Sequence, residues 1–541
     1  MAGLAKAFGS GAMTNSMPEI EDAACIFIIG SNTTESHPLI ASRVLKAKSK
    51  GAKIVVADPR KTQIAEYSEL YMRQRPGSDV ALINGMMNVI ISQGWHDKEF
   101  IENRTEGFDD LREKVKDYTP EKVEKITGVA KDDIIRAAEM YAKSGKSSIL
   151  YCMGITQHST GTDNVLSLCN LSMLTGNIGK SNTGVNPLRG QNNVQGACDM
   201  GGLPVVMTAY QSVKDDAARQ KFETAWGVEL PNNTGLTLME MMNGADDGSI
   251  KALIILGENP LVSDPDLKHV REALAKLELF VVQDIIMTET VQAATVVLAG
   301  SSIAEKDGTV TNTDRRVQRV CKATDPIGNA KSDWQIICDL AKAMGASGFD
   351  FSSTEEIFDE ITSLTPSYHG ISYSRLGQDG LQWPCPASDH PGTPFLHKDK
   401  FTKGKGTFTA IDFKEPAELP DQDYPLTLTT GRSMFQFHTG TMSRNCPTLE
   451  GELDHAYIEI NPTDAKSLGI IERELVKVSS RRGEVEVETM VTPRVGKGVV
   501  FIPFHFAESA ANMLTNTALD PVAKIPEFKV CAVKVEKMGE G

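Results

Sequence analysis

Arg189 lies in the densest polar stretch of the chain, NPLRGQNNVQGACDMGG at 186–202. Its guanidinium is a planar fork of N–H donors, the shape that grips a carboxylate with two parallel bonds. The glycines around it let a ligand approach the backbone closely. A stretch so rich in Arg, Asn, Gln and Gly is not expected to fill a core, so it reads as an anion-binding loop. A polar loop joining two domains has the same composition. Gly30-Ser31-Asn32-Thr33-Thr34-Glu35-Ser36-His37-Pro38 closes an apolar run and opens a helical stretch, where backbone N–H groups suit an anion. Asp58-Pro59-Arg60 closes the next run, and a carboxylate there can accept from ribose hydroxyls or from a guanine edge. Helix caps and turns are the structural alternative at both places.

Further polar groups follow apolar runs late in the chain. They are Thr430-Gly431-Arg432, then His438 and Arg444, then Phe504-His505. Two His and two Arg at strand ends can converge on phosphates, although each His alone also fits a packed or surface role. Lys529 is a solvated charge unless it points into the same pocket. No G-x-S-x-G, G-x-x-x-x-G-K-[ST] or H-E-x-x-H occurs, so serine-hydrolase, P-loop and zincin chemistry lack motif support. Gly30 does not open a G-x-G-x-x-G, which counts against a nicotinamide enzyme of Rossmann type.

The elements that must position these residues alternate between strand and helix over the first 300 residues. Apolar runs at 25–30, 54–57, 148–152, 252–256, 280–282 and 295–298 each end in Gly, Asp, Asn or another polar residue. Helices are expected at 38–50, 79–91, 132–142 and 164–174. Continuous apolar runs fit parallel strands covered on both faces. Ligands of doubly wound sheets sit beyond the carboxyl ends of such strands. Residues 345–425 are rich in Pro, Gly, Ser and aromatics and read as an irregular connector. Short strands at 426–430, 457–460, 475–479, 484–490, 499–503 and 529–535 then suggest a closed barrel. The expected fold is α/β: two doubly wound Rossmann-like domains plus a C-terminal six-stranded β-barrel.

The chain has 541 residues, enough for three or four domains at ~150 residues each. Hydrophobic residues make up 40% and charged residues 23%, a globular balance that excludes a small stapled scaffold. The 56 Lys and Arg against 71 Asp and Glu leave a formal charge of -15, so nucleic acid is not an expected partner. No apolar run approaches the ~20 residues of a membrane span, and the first sixteen residues do not read as a secretory signal. The nine cysteines are scattered without a C-x-x-C pair, which points to reduced thiols and a cytoplasmic location and against an iron–sulfur or zinc site in this sequence.

Taken together, four segments carry a resemblance: VNPLRGQNNVQGACDMG at 185–201, AEKDGTVTNTDRRVQ at 304–318, TGRSMFQFHTGTMSR at 430–444 and FHFAESAANMLTNTALDPVAKIPEFKVCAV at 504–533. They resemble the catalytic subunit of molybdenum- or tungsten-dependent formate dehydrogenases, within the family binding bis-molybdopterin guanine dinucleotide. The likeness runs over nearly the whole chain. Nitrate reductases share the fold, but the strings around Arg189 and His505 lean towards formate. The resemblance implies that Arg189 orients formate and that Gly190 and Gln191 lie along the pterin. It assigns Gly30, Asn32, Glu35, Asp58, Pro59 and Arg60 to one guanine dinucleotide site, with Glu35 where the family often has Asp. Gly77, Asp79, Met153, Gly154 and Gln157 belong to the same cleft. Gly257, Glu258, Asn259, Gln283 and Asp284 resemble the second site. Arg432, His438, Thr441, His505, Asn512 and Lys529 would close over the cofactor from the barrel.

The resemblance also implies boundaries: dinucleotide-binding α/β domains at 1–191 and 192–303, a connector at 304–400 that is a remnant of the cluster-binding domain, and a barrel at 401–541. The family carries a [4Fe-4S] segment, then a metal-binding Cys or selenocysteine followed by His. Met1 aligns just downstream of that residue. Those groups are therefore expected in a full-length protein and not in this sequence, and the reading frame is expected to have been started after a selenocysteine codon. The isolated chain is then expected to be inactive and unsupported at some edges. No metal ligand is assigned within it. The implied partners are formate or carbon dioxide and an electron-transfer subunit or hydrogenase-type partner. A non-catalytic carrier of the pterin nucleotide and a nitrate-reductase-type enzyme are the competing readings.

Overall fold

The computed structural model describes residues 1–538. The chain forms two compact units. The first comprises Met1–Gly190, Val262–Leu267 and the described residues from Phe395 onward; the second comprises Gln191–Leu261 and Lys268–Pro394.

The first unit holds a parallel sheet of β1 (Cys25–Ile29), β2 (Lys53–Ala57), β3 (Leu70–Met72), β4 (Ser147–Tyr151) and β5 (Gly184–Pro187). The order is β3-β2-β1-β4-β5. Alternate residues of each strand enter different cores. Phe27, Val55 and Ile149 pack with residues of Asp79–Ser92, Lys131–Lys143 and Gly161–Leu174. Ile26, Ile54 and Leu150 pack with Ile40, Val44 and Ala47 of Pro38–Ser49. Helices on both faces explain why these strands are apolar throughout rather than alternating. The chain reverses direction across the sheet between β1 and β4, the switch point at which doubly wound sheets open a crevice.

The second unit contains a parallel sheet in the order β6-β7-β8, from β6 (Ala252–Leu256), β7 (Leu279–Asp284) and β8 (Val296–Ala299). Here the expectation of two covered faces fails. Ile255, Phe280 and Val282 pack against Met242, Val270, Leu274 and Val291 of flanking helices. On the other face, by register, Ile254, Leu256, Leu279 and Val296 remain 48%, 46%, 42% and 42% exposed. Continuous apolar runs expect cover on both faces; here the second face is covered only around Val281, which is buried, and its other apolar residues stay exposed. An antiparallel sheet of β9 (Gly308–Thr311), β10 (Arg316–Val320) and β11 (Leu381–Gln382) follows, with helices Asp333–Ala343 and Thr354–Leu364.

Part of the Arg189 stretch also departs from expectation. Val194–Asp199 is a helix of the second unit that ends in a buried carboxylate. Asp199 accepts from Tyr368 at 2.6 Å, Tyr210 at 2.8 Å, Trp383 at 2.7 Å and Gln195 at 2.7 Å. A polar run can serve a core when every buried group finds a partner.

The barrel belongs to the first unit. It is closed by β12 (Leu426–Gly431), β13 (Tyr457–Ile460), β14 (Leu475–Ser479), β15 (Glu484–Val491), β16 (Val499–Pro503) and β17 (Cys531–Lys537), in the order β12-β16-β13-β15-β14-β17. Leu428, Ile458, Val476, Val487, Val500 and Val533 fill its interior. Among the described residues no helix is long and apolar enough to cross a membrane.

Candidate functional site

A cleft opens at the carboxyl ends of β1, β2 and β4, with about 800 Å³ of empty space including its mouth. Gly30 and Gly154 form its floor, where two backbones cross and the Gly154 N–H donates to the Gly30 carbonyl at 3.1 Å. A Cβ on Gly154 would come within 2.6 Å of the Gly30 backbone. These glycines are therefore required by the crossing itself, as well as by any ligand above it.

The α/β side contributes Asn32, Asp58, Pro59, Arg60, Gly77, Asp79 and Met153; the barrel side contributes Arg432 and Lys529. Burial pushes the Asp58 carboxyl up to about 6, against the opposing pull of the Arg60 N–H and the Arg60 and Lys529 charges. Burial likewise pushes Asp79 up to about 7, opposed by the Gln74 amide and reinforced by Asp58. Burial draws Lys529 down to about 8; its Nζ donates to the Thr430 carbonyl at 2.7 Å. Arg432 is also held below its usual value by burial. The cleft thus pairs two carboxyls near neutrality with two buried cations.

Arg60 is tied to the barrel. Its Nε and Nη2 donate to Oε2 and Oε1 of Glu459, each at 2.7 Å. Arg494 lies 3.2 Å from the same carboxylate and donates to Glu35 at 2.9 Å. Glu35 and Arg60, both expected at a dinucleotide, are thus spoken for by side chains of the barrel half. Neither Glu459 nor Arg494 was singled out from sequence. The signal was a carboxylate in Tyr457-Ile458-Glu459-Ile460, a strand in which all four residues are buried.

Arg189 follows β5. Its carbonyl accepts from His37 Nε2 at 2.9 Å, and a Cβ on the next residue, Gly190, would meet Arg432 Nη2 at 2.5 Å. His505 anchors the Arg432 loop. Its Nε2 accepts from the Ser433 N–H at 2.9 Å and its Nδ1 contacts the His438 carbonyl. The carbonyl can only accept, so Nδ1 carries the proton. Burial holds both His438 and His505 down to about 4, so both rings are neutral at pH 7.

Other expected residues stand elsewhere. Asn512 donates to the carbonyls of Val262 at 3.1 Å and Ser263 at 2.9 Å, so its amide is spent on the protein. Thr441 pairs with Thr439 at 3.0 Å, and Gln157 has a buried Oε1 without a protein partner. Gln191 is exposed at the start of the second unit. There Gly257 and Glu258 are exposed at the end of β6. Asn259 accepts from Thr290 Oγ1 at 2.6 Å and donates to Glu289 at 2.8 Å. Gln283 donates to Asp333 at 2.6 Å, and Asp284 accepts from the Ile285 N–H at 2.6 Å. The first cleft also gathers His37, at the end of the expected anion-binding stretch, and residues not expected there, among them Thr62, Cys152 and His158.

The first cleft fits a nucleotide-tailed cofactor on its own atoms. Asn32 Nδ2 and Oδ1, Thr62 Oγ1, His158 Nδ1, and Arg432 Nε and Nη2 are buried without protein partners. Buried polar atoms demand partners. The set mixes donors suited to phosphate with acceptors suited to the N–H groups of a base. The molybdopterin oxidoreductase family model matches residues 3–343, and the molydopterin dinucleotide binding domain matches 426–532. The chain belongs to the molybdopterin oxidoreductase family. Within that family it is 56% identical to the F420-dependent formate dehydrogenase subunit alpha of Methanocaldococcus jannaschii, across 99% of this chain and 80% of that one. It is 53% identical to the F420-dependent formate dehydrogenase 1 subunit alpha of Methanococcus maripaludis, over the same shares. Among solved structures, acetylene hydratase from Pelobacter acetylenicus superposes with a TM-score of 0.77 at 22% identity, covering 99% of this chain and 80% of that one. That likeness concerns the fold. This molybdopterin oxidoreductase chain therefore joins an α/β body to a dinucleotide-binding barrel.

Proposed function

We propose that this chain is the catalytic subunit of a formate dehydrogenase, interconverting formate and carbon dioxide. The observation that carries the reading is 53–56% identity to formate dehydrogenase alpha subunits along 99% of the chain. The cleft supports it with a donor and acceptor set suited to a pterin guanine dinucleotide.

Oxidation of formate yields carbon dioxide, a proton and two electrons. A molybdenum or tungsten pterin, when bound, supplies the two-electron acceptor that no side chain offers. The chain's own residues bind and orient. Asp58 and Asp79 would accept from the base or its ribose, while Arg432 and Lys529 would face phosphate. Gly257, Glu258, Gln283 and Asp284 would serve a second dinucleotide. Arg189 would clamp the formate carboxylate, where a charge-assisted fork fixes orientation as well as affinity. Lysine offers no such fork, so Arg189→Lys should raise the formate KM and lower kcat together. Electrons would leave through a partner subunit, and the F420 dependence of the relatives points to F420 as the acceptor.

The test is anaerobic purification with partner subunits, followed by pterin, GMP and metal analysis and formate-dependent dye reduction. Two GMP per chain with formate turnover is expected. Absence of pterin overturns the reading. Turnover of nitrate but not formate favours the reductase alternative, and bound pterin without any turnover favours a carrier.

A further inference from the structure

The Arg189-Gly190 peptide is gripped from two directions. On one side the His37 ring reaches the Arg189 carbonyl through Nε2 at 2.9 Å. A carbonyl oxygen can only accept, so Nε2 carries the proton and Nδ1 carries the lone pair. On the other side, Gly190 abuts the Arg432 guanidinium so closely that a Cβ would lie 2.5 Å from Nη2. Arg432 is itself fixed by the His505 anchor on Ser433.

His37 is well placed to be rigid. It ends the short helix Thr33–Ser36 and caps Pro38–Ser49, with Pro38 locking the next φ. It lines the cleft, and its Nδ1 is buried without a protein partner. Burial first, and then the Arg432 charge, draw the ring's pKa down against the pull of the Arg189 carbonyl, which favours the form in which one nitrogen donates and the other accepts. A histidine that served only as a helix joint would need no bond to a residue 152 positions away.

We propose that His37 is a positioning residue for Arg189: its Nε2–H fixes the carbonyl of the residue whose guanidinium orients the carboxylate substrate. The proposal rests on reading Arg189 as the formate-binding arginine. A guanidinium at the end of a four-bond side chain magnifies any rotation of its own peptide. A misplacement near 1 Å is worth roughly 100-fold in a precisely oriented step.

The experiment reads binding without turnover. The cofactor-loaded enzyme is treated with phenylglyoxal at increasing formate, and modification of the Arg189 peptide is followed by mass spectrometry. His37→Leu removes the donor; His37→Gln keeps an N–H on a side chain of similar reach. The half-protecting formate concentration should rise about tenfold or more in His37→Leu and stay close to the parent value in His37→Gln, with pterin content and Tm retained in both. A formate response in His37→Leu equal to that of the parent overturns the proposal. So does an equal rise in both variants accompanied by pterin loss, which assigns His37 a packing role. If His37→Leu does not fold, His37→Glu, which presents only an acceptor to the carbonyl, is compared with His37→Gln to the same end. An unprotected parent overturns the formate reading of Arg189 and this proposal with it, whereas a protected parent with an unaffected His37→Leu overturns this proposal alone.

Discussion

Glu459 of the barrel holds Arg60 of the α/β body by two parallel hydrogen bonds of 2.7 Å, with the carboxylate fully buried and the guanidinium 5% exposed. The guanidinium also stacks 4.0 Å from the centre of the Phe501 ring. Arg60 lines the cleft, and the pair joins residues 399 positions apart.

Breaking such a pair is costly because one charge stays buried and uncompensated. Glu459→Gln should destabilise the chain by about 3–5 kcal/mol, read by denaturant unfolding. Replacing both partners together, Arg60→Met with Glu459→Leu, should recover most of that loss, since a packed apolar pair replaces two desolvated ions. A double variant as unstable as Glu459→Gln would contradict this account.

Asp58 and Asp79 should make stability depend on pH. Their carboxyls are raised to about 6 and about 7, so between their unfolded values and these the folded chain holds more protons than the unfolded one. Their contribution is full below pH ~4 and is lost as pH rises through the folded values. Asp79→Asn should remove the part of this slope nearest neutrality, on the order of 4 kcal/mol at ~1.4 kcal/mol per pKa unit. Unfolding curves of the cofactor-free chain between pH 4 and 8 check it, and an unchanged slope in Asp79→Asn contradicts it.

Gly190 and Gly154 should respond differently to alanine. A Cβ at Gly190 meets the tip of Arg432, a side chain that can swing aside; a Cβ at Gly154 meets the Gly30 backbone, which cannot. Gly190→Ala is expected to fold normally but retain less pterin nucleotide. Gly154→Ala should lose about 1–3 kcal/mol or more to overpacking. Tm and pterin content measured side by side distinguish the two.

The uncovered face of the β6-β7-β8 sheet should drive self-association. Ile254→Thr with Val296→Thr, on one face by register, should reduce dye binding and aggregation of the chain while shifting stability by no more than ~0.5 kcal/mol, because both side chains are nearly half exposed. Light scattering during thermal ramps reads the effect.

Much of the fold was legible because its code is local. The predicted strands 457–460, 475–479 and 499–503 match Tyr457–Ile460, Leu475–Ser479 and Val499–Pro503. Asn461-Pro462 after the first, Gly483 after the second and Gly498 before the third mark one end of each in sequence. The last strand begins two residues later than the predicted 529–535, so Lys529 precedes it, because Lys-Val-Cys-Ala-Val carries no breaker to mark where pairing begins. Gly30, Asp58 and Met153 reached the cleft for the reason the sequence implies, each following a parallel strand. Their assignment to a pterin nucleotide came from the family resemblance.

The amino-acid order alone determined where most of the strands run and that polar residues would gather at their carboxyl ends, but not that the β6-β7-β8 sheet would leave apolar residues exposed on one face. Periodicity and turn chemistry act between near neighbours. Only the tertiary structure decided that Arg60 would be spent on Glu459, that Gly30 and Gly154 exist for each other, that Asn512 would turn to a backbone, and that His37 would hold Arg189. Each of these joins residues far apart in sequence, and a hydrogen bond has no preference for a partner until folding brings one within about 3 Å.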